Sequence, residues 1–261
     1  MVTLNRWWRI AVVAVCFVAA GIGGIAYAIA VFPALRLLPG GPAARAQRAR
    51  VVIGHSFAAL IAVLQGGGVM RLERRNIERL RDAGPVLVLA NHPSYIDIVV
   101  LLAHIPDAVC VVKSALWSNP FFGGVVRAAG YLRNDEPDRV IEKCAACLAE
   151  GTPLIIFPEG TRTAPGEPLR FVRGAAHVAL RSGAAIQPVV LRCEPPALTR
   201  TAKWYHQPPY GFRLVIEVKP RIGAAALLDA ERTSGFKPRA LTRALERIFA
   251  HHLESHERAA A

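Results

Sequence analysis

The segment Asn91-His92-Pro93-Ser94-Tyr95-Ile96-Asp97 sets an imidazole five residues ahead of a carboxylate. If the carboxylate folds back onto the ring, it fixes the tautomer and stabilises the imidazolium formed when the other ring nitrogen takes a proton, which makes His92 a candidate general base and Asp97 its orienting partner. The same residues have a plainer reading: Asn91 or Ser94 caps a helix, Asp97 favours that helix's positive end, and His92 is an ordinary loop residue. Further along, Phe157-Pro158-Glu159-Gly160-Thr161-Arg162 brings a carboxylate, a hydroxyl and a guanidinium into one loop. Gly160 permits close backbone approach to a ligand, and an arginine in such a loop suits a phosphate-bearing molecule.

Both groups follow short apolar runs. Val86-Leu87-Val88-Leu89 and Leu154-Ile155-Ile156 read as buried strands, and the stretch 98–105 reads as the helix after the first motif. His92 then stands at a strand end, where open α/β sheets place their chemistry. A strand over 108–112 ending in Lys113, an amphipathic helix over 138–150, a helix from about Phe171, strands over 186–191 and 212–218, and a last helix from Pro238 complete the pattern. The alternation predicts the α/β class, a largely parallel sheet flanked by helices. Between Leu72 and Ala83, arginines and glutamates recur at helical spacing, which predicts a connecting helix stopped by Ala83-Gly84-Pro85.

Charge distribution bears on the partner. The formal net charge is +13 over 261 residues, which favours anionic surfaces such as acidic lipid or nucleic acid. From Met1 to Leu72 there is no acidic residue, and arginines punctuate two apolar stretches, 10–32 and 51–70. The first is long enough to cross a bilayer; the second carries His55, Ser56, Gln65 and three consecutive glycines. A crossing hairpin would strand the intervening arginines opposite both flanks, so a pair dipping into one leaflet, or one span followed by an interfacial helix, competes with it. A cleaved signal peptide ending near Ala26-Tyr27-Ala28 is a further alternative, although the apolar run continues past that site. The division expected is a membrane-associated helical segment over 1–72 and a catalytic domain over 73–261. Basic residues gather around the apolar stretches and the motif loops, without a long basic tract, so nucleic acid is not expected as a partner. Five cysteines supply neither a disulfide framework nor paired zinc ligands, and no Gly-rich nucleotide fingerprint is present.

NHPSYID followed by FPEGTR resembles the glycerolipid acyltransferase family of the 1-acylglycerol-3-phosphate acyltransferase (lysophosphatidic acid acyltransferase) type. Gly130-Tyr131-Leu132-Arg133-Asn134-Asp135 is similar to the family's second block and Ile186-Gln187-Pro188-Val189-Val190 to its fourth, where Gln187 replaces the usual hydrophobic residue. The resemblance implies transfer of a fatty acyl group from an acyl-CoA or acyl carrier protein thioester to the free hydroxyl of lysophosphatidic acid, making phosphatidic acid. It implies His92 as base with Asp97, and Glu159, Gly160, Thr161 and Arg162 around the acceptor with Arg133 as a second phosphate contact. The thioester is a co-substrate, and no metal or resident cofactor is called for. The bilayer is implied as a partner, met through an amino-terminal helical pair in one leaflet, with the catalytic domain on the cytoplasmic side. Other lysolipids or specialised glycolipid and polyene-lipid acceptors, a hydrolase using the same pair, and a non-catalytic anionic-lipid binder are the alternatives.

Overall fold

A computed structural model of the chain describes residues 2–80, 84–230 and 236–260. The first apolar run lies inside helix α1 (Val2–Ala26), which continues through a π-helical turn (Tyr27–Val31) into the short α2 (Phe32–Leu35). Pro39-Gly40-Gly41 breaks the helix, and α3 (Pro42–Gly66), with proline in its first turn, runs back beside it. Trp8 Nε1 donates to the Gly67 carbonyl at 3.1 Å, joining the start of α1 to the end of α3. Both 4–35 and Pro42–Gly66 are long and apolar enough to cross a membrane. They differ in packing. Leu4, Trp8, Val15, Val18, Ile22 and Ile25 form an exposed apolar stripe along α1 at steps of three, four and seven residues, continued by Ile29 in the π-helical turn. In contrast, α3 buries Ile53, Gly54, Ile61 and Leu64. Its Arg50 is buried too, satisfied by Asp107 at 2.8 Å and by the Ala129 carbonyl at 3.1 Å.

The connecting helix expected after Leu72 is not formed. Met70–Arg75 is a strand, β1, followed by a 3₁₀ turn over Ile77–Leu80; residues 81–83, which include Ala83 of the expected stop, lie outside the described residues. Met70 and Leu72 are buried with exposed Arg71 between them, the two-residue period of a strand, and charged residues from Glu73 to Arg75 follow on this sheet edge. The division expected between residues 72 and 73 therefore falls within a strand.

The chain continues as β2 (Val86–Ala90), α4 (Asp97–His104), β3 (Val109–Lys113), α5 (Ser114–Trp117), α6 (Gly123–Ala128), β4 (Leu132–Asn134), α7 (Pro137–Ala149), β5 (Leu154–Ile156), α8 (Gly174–Ser182), β6 (Ala185–Glu194), β7 (Phe212–Val218), α9 (Ala224–Ala230) and α10 (Lys237–Ala260). The seven strands form one sheet in the order β1-β7-β6-β2-β5-β3-β4, parallel at every pairing but β6 with β7. This is the α/β class expected. Strand β2 sits at the centre with every residue fully buried, as a continuous apolar run covered on both faces must be. Val86, Val88 and Ala90 join the core layer of α3 and α4, whereas Leu87 and Leu89 join the layer of α7, α8 and α10. The carboxyl ends of β2 and β5, in register at Leu89 and Ile156, thus open side by side.

Candidate active site

Strand β2 is prolonged by a side chain. The Asn91 amide donates to the Leu191 carbonyl at 2.8 Å, and its oxygen accepts the Leu191 N–H at 2.7 Å, so the carboxamide mimics one more rung between β2 and β6. That fixes where the chain leaves the sheet. Ser94 Oγ donates to the Ala197 carbonyl at 2.8 Å and Tyr95 N–H to the Leu198 carbonyl at 2.9 Å, tying the turn to the segment after β6. Asp97, first residue of α4, then points back: its Oδ2 accepts His92 Nδ1–H at 3.0 Å and the Ser94 N–H at 2.7 Å. With Nδ1 carrying the proton, Nε2 of His92 presents a lone pair. Burial pushes the Asp97 carboxyl above the ordinary carboxylate range, opposed by the hydrogen bond and charge of His92, the Ser94 N–H and the charge of Arg162. Its Oδ1 has no hydrogen-bond partner among the described residues.

The loop after β5 supplies the other side. The Phe157 ring stacks on His92, with centroids 4.0 Å apart and planes 16° from parallel, which restrains the imidazole from the face that Asp97 does not hold. Glu159 is buried, and its Oε1 accepts the backbone N–H of His92 at 2.7 Å while Oε2 accepts the Thr163 hydroxyl. Burial pushes its carboxyl up to about 7, with the nearby Asp97 charge adding to the rise. Gly160 has φ +68°, a conformation that favours glycine, and it turns the chain so that Thr161 and Arg162 reach the cavity. The Arg162 guanidinium lies 3.2 Å above the Tyr95 ring, a cation–π contact that leaves its N–H donors open to a ligand.

These groups border a cavity of about 820 Å³. Its polar end holds His92, Thr161, Arg162, Asn134 and Lys113, and its depth is apolar: Leu102, Cys110, Val126, Val140, Cys144 and Val178 from the sheet and surrounding helices, with Ile53 and Phe57 contributed by α3. The volume is in the range of small-ligand sites, and the division into a basic mouth and an apolar depth suits an amphiphile.

The structure brings His92, Asp97, Gly160, Thr161 and Arg162 together. Glu159 is adjacent but faces the backbone of His92 and not the cavity. Arg133, on β4, is half exposed, pairs with Asp135 at 3.2 Å, and does not line the cavity; its neighbours Tyr131 and Asn134 do. Gln187 is fully buried in β6, donating to the Lys219 carbonyl and accepting from Arg221 Nε at 3.2 Å, away from the cavity. The helix expected from about Phe171 begins at Gly174, and Arg173 just before it is exposed. The sequence offered Asn91 only as a helix cap, where the structure uses it to prolong β2, and gave Phe157 no role of its own. An apolar ring directly after β5, the strand that pairs with the one preceding His92, was the available signal for Phe157.

Residues 71–192 match the family described as Acyltransferase. Over 125 residues it is 36% identical to a 1-acyl-sn-glycerol-3-phosphate acyltransferase of Helicobacter pylori, the match covering 44% of this chain and 53% of that protein. A 1-acyl-sn-glycerol-3-phosphate acyltransferase alpha of Mus musculus is 26% identical over 129 residues, covering 47% and 45%. The matches thus span about half the length of these relatives. The crystal structure of PlsC, the 1-acyl-sn-glycerophosphate (LPA) acyltransferase from Thermotoga maritima, superposes with a TM-score of 0.71 over 95% of this chain and 96% of that one, at 16% identity, and so shares its fold.

Proposed function

We propose that this protein transfers a fatty acyl group from an acyl-CoA or acyl carrier protein thioester to the free hydroxyl of 1-acylglycerol-3-phosphate, giving phosphatidic acid. The observation that carries this reading is the His92–Asp97 pair at the polar end of a deep apolar cavity, one loop away from the open donors of Arg162. The relatives' names point to the same reaction. His92 Nε2 takes the acceptor hydroxyl proton as that oxygen attacks the thioester carbonyl; Asp97 holds the imidazolium; collapse of the tetrahedral intermediate expels the thiolate, which recovers the proton. Arg162 and Thr161 hold the acceptor phosphate, Lys113 adds positive charge at the mouth, and Glu159 holds the two loops together. No metal or resident cofactor enters these steps. The exposed apolar stripe of α1 and the acid-free first 72 residues support attachment to a membrane that holds the amphiphilic acceptor, with the active site facing the cytoplasmic pool of thioesters.

The test is thiol release from acyl-CoA or acyl carrier protein by the full chain in detergent, with and without lysophosphatidic acid. Acceptor-dependent release with phosphatidic acid as product is expected, falling about 1000-fold in His92→Ala. Turnover of a different lysolipid alone would replace the acceptor; acceptor-independent fatty acid release would make it a hydrolase; full activity without His92 would overturn the mechanism.

A further inference from the structure

The 17 residues from Pro195 to Gly211 connect β6 to β7 without helix or strand, yet the segment is pinned at both of its margins. On the catalytic side, the Ala197 and Leu198 carbonyls accept from Ser94 Oγ and Tyr95 N–H, the residues between His92 and Asp97. Leu198 holds φ +51°, unusual for a branched side chain, with its carbonyl on the Tyr95 N–H. On the other side the segment touches the helical hairpin. Arg9 of α1 donates to the Pro209 carbonyl, Trp204 meets Phe17 of α1 with centroids 5.9 Å apart, and Gly211 lies so close to Gly68 and Val69 that a Cβ there would come within 2.8 Å of both carbonyls.

What the segment shows to solvent is selective. Trp204, Tyr205 and Tyr210 are 44%, 38% and 83% exposed, and Arg200 and Lys203 are exposed beside them. No carboxylate occurs between Pro195 and Gly211. Amphipathic aromatics interleaved with basic side chains suit the level of lipid headgroups. The surface is continuous with the α1 stripe, since Phe17 is itself half exposed, and Trp7, Trp8 and Arg6 extend it at the helix start.

We infer that residues 199–210 seat on an anionic phospholipid bilayer and, through Ala197 and Leu198, transmit that contact to the loop carrying His92. Membrane docking then steadies the Ser94–Tyr95 turn that positions Asp97, so the enzyme works better at a bilayer than in solution. The docking surface stands independently; its effect on turnover rests on the acyltransferase reading.

Two measurements separate these parts. In the full chain with Trp7, Trp8 and Trp117 each replaced by phenylalanine, Trp204 is the only tryptophan left. Reconstituted in phosphatidylcholine–phosphatidylglycerol vesicles, it should be quenched by phospholipids brominated near the headgroup, and Lys203→Ser should weaken the quenching about fivefold less strongly in pure phosphatidylcholine than in the anionic mixture. Absence of quenching while the chain remains in the vesicles overturns the docking, whether Trp204 is then exposed to acrylamide or shielded by a second copy. For the coupling, Lys203→Ser/Trp204→Ser should lower turnover of vesicle-embedded lysolipid about tenfold with less than a twofold change toward a short-chain, water-soluble lysolipid. Equal losses on both, or none, overturn the coupling. If no acyl acceptor is turned over at all, the function reading fails while the quenching result keeps its meaning.

Discussion

The loops that follow β2 and β5 stand side by side at one end of the sheet, and they are held in different ways. In the first, the Asn91 carboxamide, the Ser94 hydroxyl, the Tyr95 N–H and Asp97 Oδ2 are all engaged by the protein, so the imidazole has one tautomer and one orientation. In the second, Glu159 and the Phe157 ring reach back to His92, and the guanidinium of Arg162 rests on the Tyr95 face with its N–H donors uncommitted among the described residues. Under the proposed function, one loop is preorganised for proton transfer, and the other keeps donors free for a ligand whose charge must be met. Substitutions in the first should therefore reduce the chemical step, and those in the second should reduce binding.

Asp97→Asn gives the largest effect that leaves His92 in place. Because Oδ2 meets both His92 Nδ1 and the Ser94 N–H, the amide must place either its NH2 there, which opposes the Ser94 N–H and favours the wrong tautomer, or its oxygen, which keeps both bonds without the charge; kcat should fall roughly 100- to 1000-fold with little change in acceptor KM, read from initial rates. Equal rates would mean that the loop geometry, without the charge, suffices. Arg162→Lys should do the reverse. A point charge keeps the attraction but loses the planar fork and the stacking on Tyr95, so acceptor KM should rise about tenfold and kcat should stay within about twofold. A pure kcat loss there would erase the contrast between the loops.

Glu159 tests the link between them. Its folded carboxyl titrates at about 7, above the ordinary 4.5, so the folded chain binds a proton more readily than the unfolded one between those values. Stability therefore falls as pH rises from about 4.5 to 7, the opposite of a salt-bridged carboxylate. Glu159→Gln keeps an acceptor for the His92 N–H without ionising, and its thermal midpoint should drop less than that of wild type across this window. Parallel curves would place the raised titration elsewhere. Gln187→Leu is the mildest. It leaves the Lys219 carbonyl without its side-chain donor, costing about 1–2 kcal/mol in denaturant unfolding with kcat and KM unchanged, because the residue lies outside the cavity.

Where a local signal was strong the sequence was readable. The apolar run 86–89 could only be covered on both faces, and the position of His92 followed from it. The arginine–glutamate stretch after Leu72 misled because its inward residues, Met70 and Leu72, give too few repeats to separate a period of two from a helix; pairing with β7, more than 130 residues away, decides the matter. Glu159 was legible as a site residue by its neighbours but not in its direction, since the His92 N–H it meets lies 67 residues earlier. The same holds for Phe157 on His92 and for the Ser94 contact with Ala197. Each is a partnership between loops set by strand order, which no local pattern encodes.

Helix α3 has a practical consequence. Ile53 and Phe57 form part of the cavity wall, and Arg50 is locked to the loop before β3 through Asp107. Trimming the chain before β1 to obtain a fragment for crystallography or inhibitor screening would remove one side of the cavity. Compounds selected against such a fragment would be fitted to an opening that the intact enzyme does not have.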